Sequence, residues 1–331
     1  MKSYLSGREQ MVVYAGVESR KMAQDIGIVQ GSRLGPLLYD IYSNDFNWLC
    51  SSDENILYAD DTCLIYVGDN LETLTQHVNN RLAIIDDWCN ANKLYLNRSK
   101  CEYMLITNRV LQATPNIHIA NDKLSQATSF KYLGVIIDQS LKFQPHIEAL
   151  MSRLSQVCGA SFRLKHHLNL IAAKKMYYAC FYSIATYCIG IYGGTMLCTH
   201  RCDRLVRLQA KIMKNLFSKF FPSTRCLFKK IKILKLPDVY RLKVNVFMYR
   251  MLKLDEFPSI RRNLRLEYAT LSYGTRYAGN LIPPFPRVEA IRINFQYQFI
   301  NVWNSTPLAI KALPNFRSFK RALIDFYLNS Y

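Results

Sequence analysis

The stretch ILYADDTCLIYV, residues 56–67, places two adjacent aspartates between two apolar runs that are rich in β-forming residues. This pattern predicts a hairpin buried along most of its length, with Asp60 and Asp61 at its tip. Aspartate favours turns, so the pair can be ordinary turn residues. Hard divalent cations such as Mg²⁺ take carboxylate oxygens, so the pair can also hold a metal. The stretch alone leaves both interpretations open.

The charge of the chain points to a polyanionic partner. Its 331 residues, 50% of them apolar, suffice for two or three domains, and the formal net charge is +19. Residues 1–75 hold 5 Lys/Arg and 11 Asp/Glu, whereas residues 201–267 hold 18 Lys/Arg and 5 Asp/Glu. We expect the acidic part to bind cations and the basic part to bind nucleic acid rather than a membrane.

A zinc site and a membrane-spanning segment are two further interpretations, and neither is favoured. The segment CTHRC (Cys198, His200, Cys202) could supply zinc ligands, but no convincing fourth ligand is near. The uncharged run 176–199 is long enough to cross a bilayer, but tyrosines and glycines are spread through it. A buried helix followed by a turn at YGGT (192–195) is favoured there. The ten cysteines are scattered and no secretory signal is evident, so we expect an intracellular protein, in the nucleus and/or cytoplasm.

Periodicity predicts an α+β protein that becomes mostly helical after Pro145. Strands are expected on either side of a turn at Gly16–Ser19, and a helix is expected from about Pro36. Apolar residues from Leu71 to Trp88 mark one face of an amphipathic helix. Short strands are predicted at KLYLN (93–97), CEYMLIT (101–107) and KYLGVIID (131–138).

A basic stripe runs beside an apolar one in a later helix. The apolar stripe contains Leu205, Leu208, Ile212 and Leu216, and the basic stripe contains Arg204, Arg207, Lys211 and Lys214. Such a stripe can be a solvated face or a surface that contacts phosphates. Only one acid, Asp203, lies in this helix, so contact with a nucleic-acid backbone is favoured.

Five blocks, in order, resemble one family. They are GIVQGSRLGPLLYDIYSNDF (27–46), YADD (58–61), WCNANKLYLNRSKCEYMLI (88–106), FKYLGVIID (130–138) and VWNSTPLAIKALPNFRSFKRAL (302–323). Together they resemble the reverse transcriptase of non-LTR (LINE-type) retrotransposons, closest to the jockey-like branch. This resemblance implies an incomplete polymerase palm, an antiparallel sheet with packed helices, over residues 1–140. A helical thumb over 141–235 and a helical C-terminal region over 236–331 would follow.

The same resemblance implies RNA-directed DNA polymerase activity, with two-metal nucleotidyl transfer at YADD. The expected metal is Mg²⁺ (or Mn²⁺), and the expected partners are an RNA template, a DNA primer and dNTPs. Asp60 would be the principal ligand of both metals and Asp61 a supporting one, with Tyr58 near the primer end.

The other blocks imply further roles. Gln30 and Gly31 would line the template–nucleotide pocket with Ser32 beside them, although a Gly-Ser pair can also simply cap a helix. Lys100 would protonate departing pyrophosphate or be a solvated surface lysine. The primer grip would consist of Lys131, Tyr132, Leu133 and Gly134, a pattern that a plain strand and turn also gives.

The sequence departs from the family where a third carboxylate is expected. In the family an A-F-D-x-V strand precedes the segment KSYLSGR, and its aspartate binds both metals. Here that segment follows Met1, so we expect the fingers, the first catalytic aspartate and an upstream endonuclease to be missing. Either a longer retroelement polypeptide supplies the strand, or the chain is a non-catalytic remnant that grips RNA or an RNA–DNA duplex through its basic thumb. An open reading frame with no selected role is a third possibility.

Overall fold

The chain divides into two compact units. The computed structural model describes residues 2–24, 27–29, 31–49, 54–109, 113–197, 201–221, 227–264, 266–268, 280–285 and 294–331. Unit 1 comprises residues 1–103 and 108–127, and unit 2 comprises residues 104–107 and 128–331. Small sheets, mostly antiparallel, and many helices give an α+β protein, as predicted.

Unit 1 opens with a short helix and two small antiparallel pairs. The elements are α1 (Lys2–Leu5), β1 (Glu9–Gln10), β2 (Val13–Tyr14), β3 (Val17–Glu18) and β4 (Met22–Ala23), with β1 pairing β4 and β2 pairing β3. The turn between β2 and β3 falls at Ala15 and Gly16, with φ of 50° and 80°. The turn predicted at Gly16–Ser19 is therefore wrong in position. Two consecutive positive φ angles close a tight two-residue hairpin one residue earlier.

The helices and the aspartate hairpin of unit 1 follow the predicted order. They are α2 (Gly35–Tyr42), α3 (Phe46–Leu49), β5 (Glu54–Tyr58), β6 (Asp61–Ile65) and α4 (Leu71–Ala91). The Asn70 side chain caps α4 by accepting hydrogen bonds from the Glu72 and Thr73 backbone N–H groups. The apolar face of α4 is buried in two small clusters, whose buried members are Phe46, Ile85 and Cys89 in one, and Val78, Leu82, Ile117, Ile119 and Leu124 in the other.

The strand predicted at KLYLN is wrong. Lys93 has a φ of 56° just after α4, and the backbone continues irregularly into a 3₁₀ turn, Arg98–Lys100. Arg98 donates to both carboxylate oxygens of Asp86 on α4 at 2.9 Å, and it pairs with Asp122 at 3.2 Å. This clamp fixes the segment by side-chain contacts rather than by a strand ladder.

The rest of unit 1 is built from two-residue strands. They are β7 (Glu102–Tyr103), β8 (His118–Ile119), β9 (Asp122–Lys123) and β10 (Ser125–Gln126), with β8 pairing β9 and β7 running parallel to β10. The strand predicted at residues 101–107 is thus reduced to two residues. The Asn79 side chain on α4 binds the backbone of Asn116 and His118, which ties this region to the helix.

Unit 2 begins with the predicted hairpin, β11 (Ser129–Tyr132) and β12 (Val135–Asp138), and continues in helices. The helices are α5 (Gln144–Leu164), α6 (Leu170–Met176), a π-helical stretch (Tyr177–Tyr182), α7 (Ser183–Thr186), α8 (Ile189–Leu197), α9 (Arg201–Phe217), α10 (Leu227–Ile231), α11 (Leu236–Lys253), α12 (Pro258–Asn263), α13 (Phe295–Asn304), α14 (Leu308–Lys311) and α15 (Phe316–Asn329). They share one extensive apolar core.

The turn predicted at YGGT is wrong, because residues 192–195 lie inside α8. A Cβ on Gly193 would lie 2.3 Å from Cδ2 of Tyr240 on α11. The glycine therefore serves close helix packing and not chain reversal. Among the described residues, no helix is both long enough and apolar enough to span a bilayer.

Buried hydrogen bonds join distant parts of unit 2. Gln209 on α9 donates to the Tyr177 hydroxyl and to the Leu234 carbonyl at 2.9 Å, and it accepts from the Leu236 N–H at 2.8 Å. Thr306 in the C-terminal block donates to Asn245 on α11 at 2.9 Å. Since unpaired polar groups in a core are costly, these networks fix one arrangement of the helices.

Candidate active site and nucleic-acid interface

Asp60 and Asp61 stand at the tip of the β5–β6 hairpin. Tyr58 pairs with Asp61, so Ala59 and Asp60 form a two-residue turn in which Ala59 has a φ of 53°. Both aspartates are exposed to solvent. The tip therefore offers two carboxylates on successive residues of a short, hydrogen-bonded hairpin, which is the ligand type that Mg²⁺ prefers.

The hairpin itself is less buried than the sequence predicts. Ile56 is 46% exposed and Tyr58 64% exposed. Within the described residues β5 pairs only with β6, so neither outer edge is covered by another strand. The inner side is anchored by Leu57 and Leu64, which pack against the cluster of Phe46, Ile85 and Cys89. The prediction of a hairpin buried along most of its length is therefore wrong for this part of the chain.

Tyr39 is a residue near the site that sequence reasoning missed. It lies on α2 and is half-buried. Burial raises the pKa of its hydroxyl, and the negative charges of Asp60 and Asp40 raise it further. The hydroxyl is thus a neutral hydrogen-bonding group within the field of Asp60. Its only signal in the sequence is its place in the 27–46 block.

The QGS segment is described in part. Gln30 lies outside the described residues. Gly31 has a φ of 78°, a conformation that favours glycine. Ser32 Oγ accepts a hydrogen bond from the Gly35 N–H at 3.0 Å and also bonds to the Tyr4 hydroxyl. Ser32 therefore supports the first residue of α2, whose N-cap residue is Leu34, while its place in a template–nucleotide pocket stays a prediction.

Lys100 is exposed at the end of the 3₁₀ turn. In the part of the chain that the structure describes, no hydrogen bond or ion pair joins it to Asp60 or Asp61. Its neighbour Arg98, in contrast, is engaged with Asp86 and Asp122. The structure leaves both interpretations of Lys100 open.

The four residues predicted as a primer grip lie in the β11–β12 hairpin of unit 2, two at the end of β11 and two in the turn. Lys131 is exposed on β11, and Leu133 and Gly134 have φ of 45° and 84°. The Tyr187 hydroxyl donates to the Leu133 carbonyl at 2.7 Å, and a Cβ on Gly134 would lie 3.1 Å from its ring. Tyr187 thus shapes this turn, a role that the spacing of the motif gave no means of predicting.

The basic stripe of α9 lies on a solvent-exposed face, and its contact with a nucleic-acid backbone stays a prediction. Leu205, Ile212 and Leu216 are buried, whereas the four basic residues Arg204, Arg207, Lys211 and Lys214 are exposed. A shallow depression of about 380 Å³ beside this face is lined by Ala210, Lys211, Lys214, Leu227 and Phe228. The zinc alternative at CTHRC falls on Cys198 and His200, outside the described residues, and on Cys202, whose side chain is not described.

Comparison with known proteins shows which class of protein the chain resembles. Residues 1–137 match the family model described as reverse transcriptase (RNA-dependent DNA polymerase). The RNA-directed DNA polymerase from mobile element jockey of Drosophila funebris is 28% identical over 276 residues, which is 80% of this chain and 30% of that relative. A probable RNA-directed DNA polymerase from transposon BS of Drosophila melanogaster is 29% identical over 225 residues, 65% of this chain and 25% of that protein.

A second jockey polymerase, from Drosophila melanogaster, is 24% identical over 262 residues, 76% of this chain and 28% of that relative. No solved structure is significantly similar to the chain. Residues 1–137 thus resemble a reverse transcriptase domain. Two of these matches are to polymerases of the mobile element jockey, so the similarity is to the jockey-like branch of non-LTR retrotransposon proteins. The chain spans about 30% of the length of the first of these relatives.

Proposed function

We propose that this chain is the nucleotide-adding part of a retrotransposon reverse transcriptase, which extends a DNA primer on an RNA template. The observation that carries the proposal is the pair of exposed carboxylates, Asp60 and Asp61, on a tight turn within the segment that matches the family. In this proposal unit 1 contains the palm, the β11–β12 turn is the primer grip, and the helices from α5 to α10 form the thumb.

The residues at the tip suit Mg²⁺, or Mn²⁺ in its place. Mg²⁺ typically keeps several waters and binds to one or two carboxylates together with substrate phosphates, here those of the incoming dNTP. Asp60 and Asp61 would hold the metal, and bound metal would stabilise the attacking and leaving oxygens of the phosphoryl transfer. Tyr39 would keep a neutral hydroxyl beside Asp60, and Lys100 remains the candidate for protonating pyrophosphate.

A further carboxylate is needed beyond this pair. In the described part of the chain, no three side chains of His, Cys, Asp or Glu come together as a possible metal site. Two ligands leave a metal pair poorly fixed, and catalysis of nucleotidyl transfer depends on exact positioning. We therefore propose that a segment outside the described residues, in a longer polypeptide or a second chain, contributes the additional ligand.

Primer extension on an oligo(dT)-primed RNA template with Mg²⁺ or Mn²⁺ tests the proposal. We expect Asp60→Asn to abolish extension, and Asp87→Asn, an exposed carboxylate on α4, to leave it unchanged. Extension that survives Asp60→Asn would refute the placement of the site. Template binding without any extension, both by residues 1–331 alone and by a longer polypeptide that contains them, would refute the catalytic proposal and support the second candidate function.

The second candidate is a module that binds RNA or an RNA–DNA duplex without copying it. The exposed basic face of α9 favours it, because Lys and Arg side chains there can contact backbone phosphates. Each such contact releases counterions, so the affinity depends on the salt concentration. The double substitution Arg207→Gln with Lys211→Gln should weaken binding to all sequences alike. It should also reduce the magnitude of the slope of log affinity against log salt concentration by roughly 0.9 per lost phosphate contact. Lys123→Gln in unit 1 is the matched control, and an unchanged slope in the double variant would contradict this role.

A further inference from the structure

The helix from Leu170 to Thr186 in unit 2 widens into a π-helix over Tyr177–Tyr182. π-Helical turns inside helices are rare and frequently occur at functional sites. The inner side of this stretch is fully engaged, since Tyr177 and Phe181 are buried and stack on each other at 5.3 Å. The outer side carries Tyr178, which is 46% exposed.

The exposed ring of Tyr178 is held in place by its neighbours. Tyr177 and Tyr182 meet it edge to face, with ring centroids 5.4 and 5.3 Å away. An aromatic ring that is already ordered loses little conformational freedom when a ligand stacks on it. The structure therefore presents a fixed, partly solvent-facing aromatic surface.

The sequence around Tyr178 is strongly basic. Lys174 and Lys175 precede it by one helical turn on the same helix. Between residues 149 and 237 the sequence contains one acid, Asp203, and 16 Lys/Arg. Aromatic side chains combined with cations are the means by which proteins bind single-stranded nucleic acid, since every base has a face that can stack.

We propose that Tyr178 is a stacking site for an unpaired base of single-stranded nucleic acid, with Lys174 and Lys175 contacting the adjoining phosphates. This site is distinct from the phosphate-contacting face of α9 and does not depend on nucleotide addition at Asp60. It would let the chain hold an unpaired strand in addition to a duplex.

Fluorescence anisotropy with the full chain and a labelled RNA of about 12 nucleotides tests the site, because single-strand sites span a few to some sixteen nucleotides. Tyr178→Ala should weaken binding of this RNA about tenfold. The same substitution should leave binding of an abasic oligomer of equal length unchanged, since that oligomer keeps the phosphates and lacks the bases. Tyr178→Phe, which keeps the ring, should bind like the parent chain.

The matched control is Tyr95→Ala, which removes a tyrosine that is 95% exposed in unit 1 and should have no effect. Equal losses for the RNA and the abasic oligomer, or equal binding by the Tyr178→Ala and Tyr95→Ala variants, would overturn the proposal. If Tyr178→Ala lowers thermal stability, photocrosslinking of a thiouridine-labelled RNA to the parent chain decides. Crosslinks within residues 170–186 support the site, and their absence overturns it. The Arg207 and Lys211 variants test the α9 face separately, so the two proposals can fail independently.

Discussion

At the scale of single residues, burial sets the protonation behaviour of His146. It lies on α5, where its Nδ1 accepts a hydrogen bond from the Ile136 N–H at 3.4 Å and its ring meets Tyr192 edge to face at 4.8 Å. Burial lowers the pKa of its imidazole below the usual 6.5. The two described contacts of the ring, the Ile136 N–H and the Tyr192 side chain, are neutral.

This environment predicts that unit 2 loses stability in acid. Below pH 6.5 the unfolded chain takes up a proton on His146 before the folded chain does, so the free energy of unfolding decreases as pH falls through the lowered pKa. Above pH 6.5 this group adds no pH dependence. Urea unfolding between about pH 8 and pH 5 measures the effect. His146→Gln should flatten this part of the profile, whereas the exposed His166→Gln should not; an unchanged profile for His146→Gln would disprove the assignment.

At the scale of elements, close helix packing in unit 2 depends on a glycine, because it has no Cβ to keep the neighbouring helix away. Gly193 on α8 lets the Tyr240 ring of α11 come closer than any Cβ allows. Gly159 on α5 is also helical, but a Cβ there would meet nothing within 4 Å. The same substitution should therefore act in opposite directions at the two positions.

Gly193→Ala should lower the free energy of unfolding by about 1–3 kcal/mol, because the methyl group forces α8 and α11 apart. Gly159→Ala should raise it by about 0.5–1 kcal/mol, because alanine loses less entropy than glycine in a helix. Chemical denaturation of both variants beside the parent chain measures the difference. Destabilisation of similar size at both positions would show that helix packing is not the cause.

At the scale of the whole molecule, the two units differ in how much apolar surface each encloses. In the described residues the buried side chains of unit 1 form two small clusters, and those of unit 2 form one extensive cluster that runs from Ile147 to Leu328. Since hydrophobic burial is the main stabilising contribution, unit 2 is expected to be the more stable.

Hydrogen–deuterium exchange should show this difference directly. We expect amides of β5 and β6 to exchange well before those of α9 and α11, because local opening needs less energy where fewer apolar contacts are lost. Adding an RNA template and primer should slow exchange on the Asp60 hairpin if the catalytic proposal holds. Slower exchange in α9 than in β5 and β6 is the expected order without ligand, and the reverse order would contradict the assignment of stability.

Local patterns in the sequence predicted a good part of the structure. The spacing of apolar residues identified α4, α5 and α9, because amphipathic helices bury one stripe whatever their partners. The flanking β-forming residues identified the Asp60–Asp61 hairpin and the β11–β12 hairpin. The ordered motifs identified the similarity to reverse transcriptases that residues 1–137 show, because the polar residue types of such sites are set by their chemistry rather than by their surroundings.

Only the tertiary structure decided the features that depend on contacts between distant residues. The glycines of YGGT pack against α11 instead of forming a turn, and the KLYLN segment is held by Arg98 instead of a strand ladder. Ile56 and Tyr58 on the Asp60 hairpin are exposed among the described residues, and Tyr39, Tyr187 and Tyr178 lie where no spacing rule would place them. Sequence periodicity determines which face of an element is apolar, but its partner, and hence its burial, is determined by the folding of the whole chain.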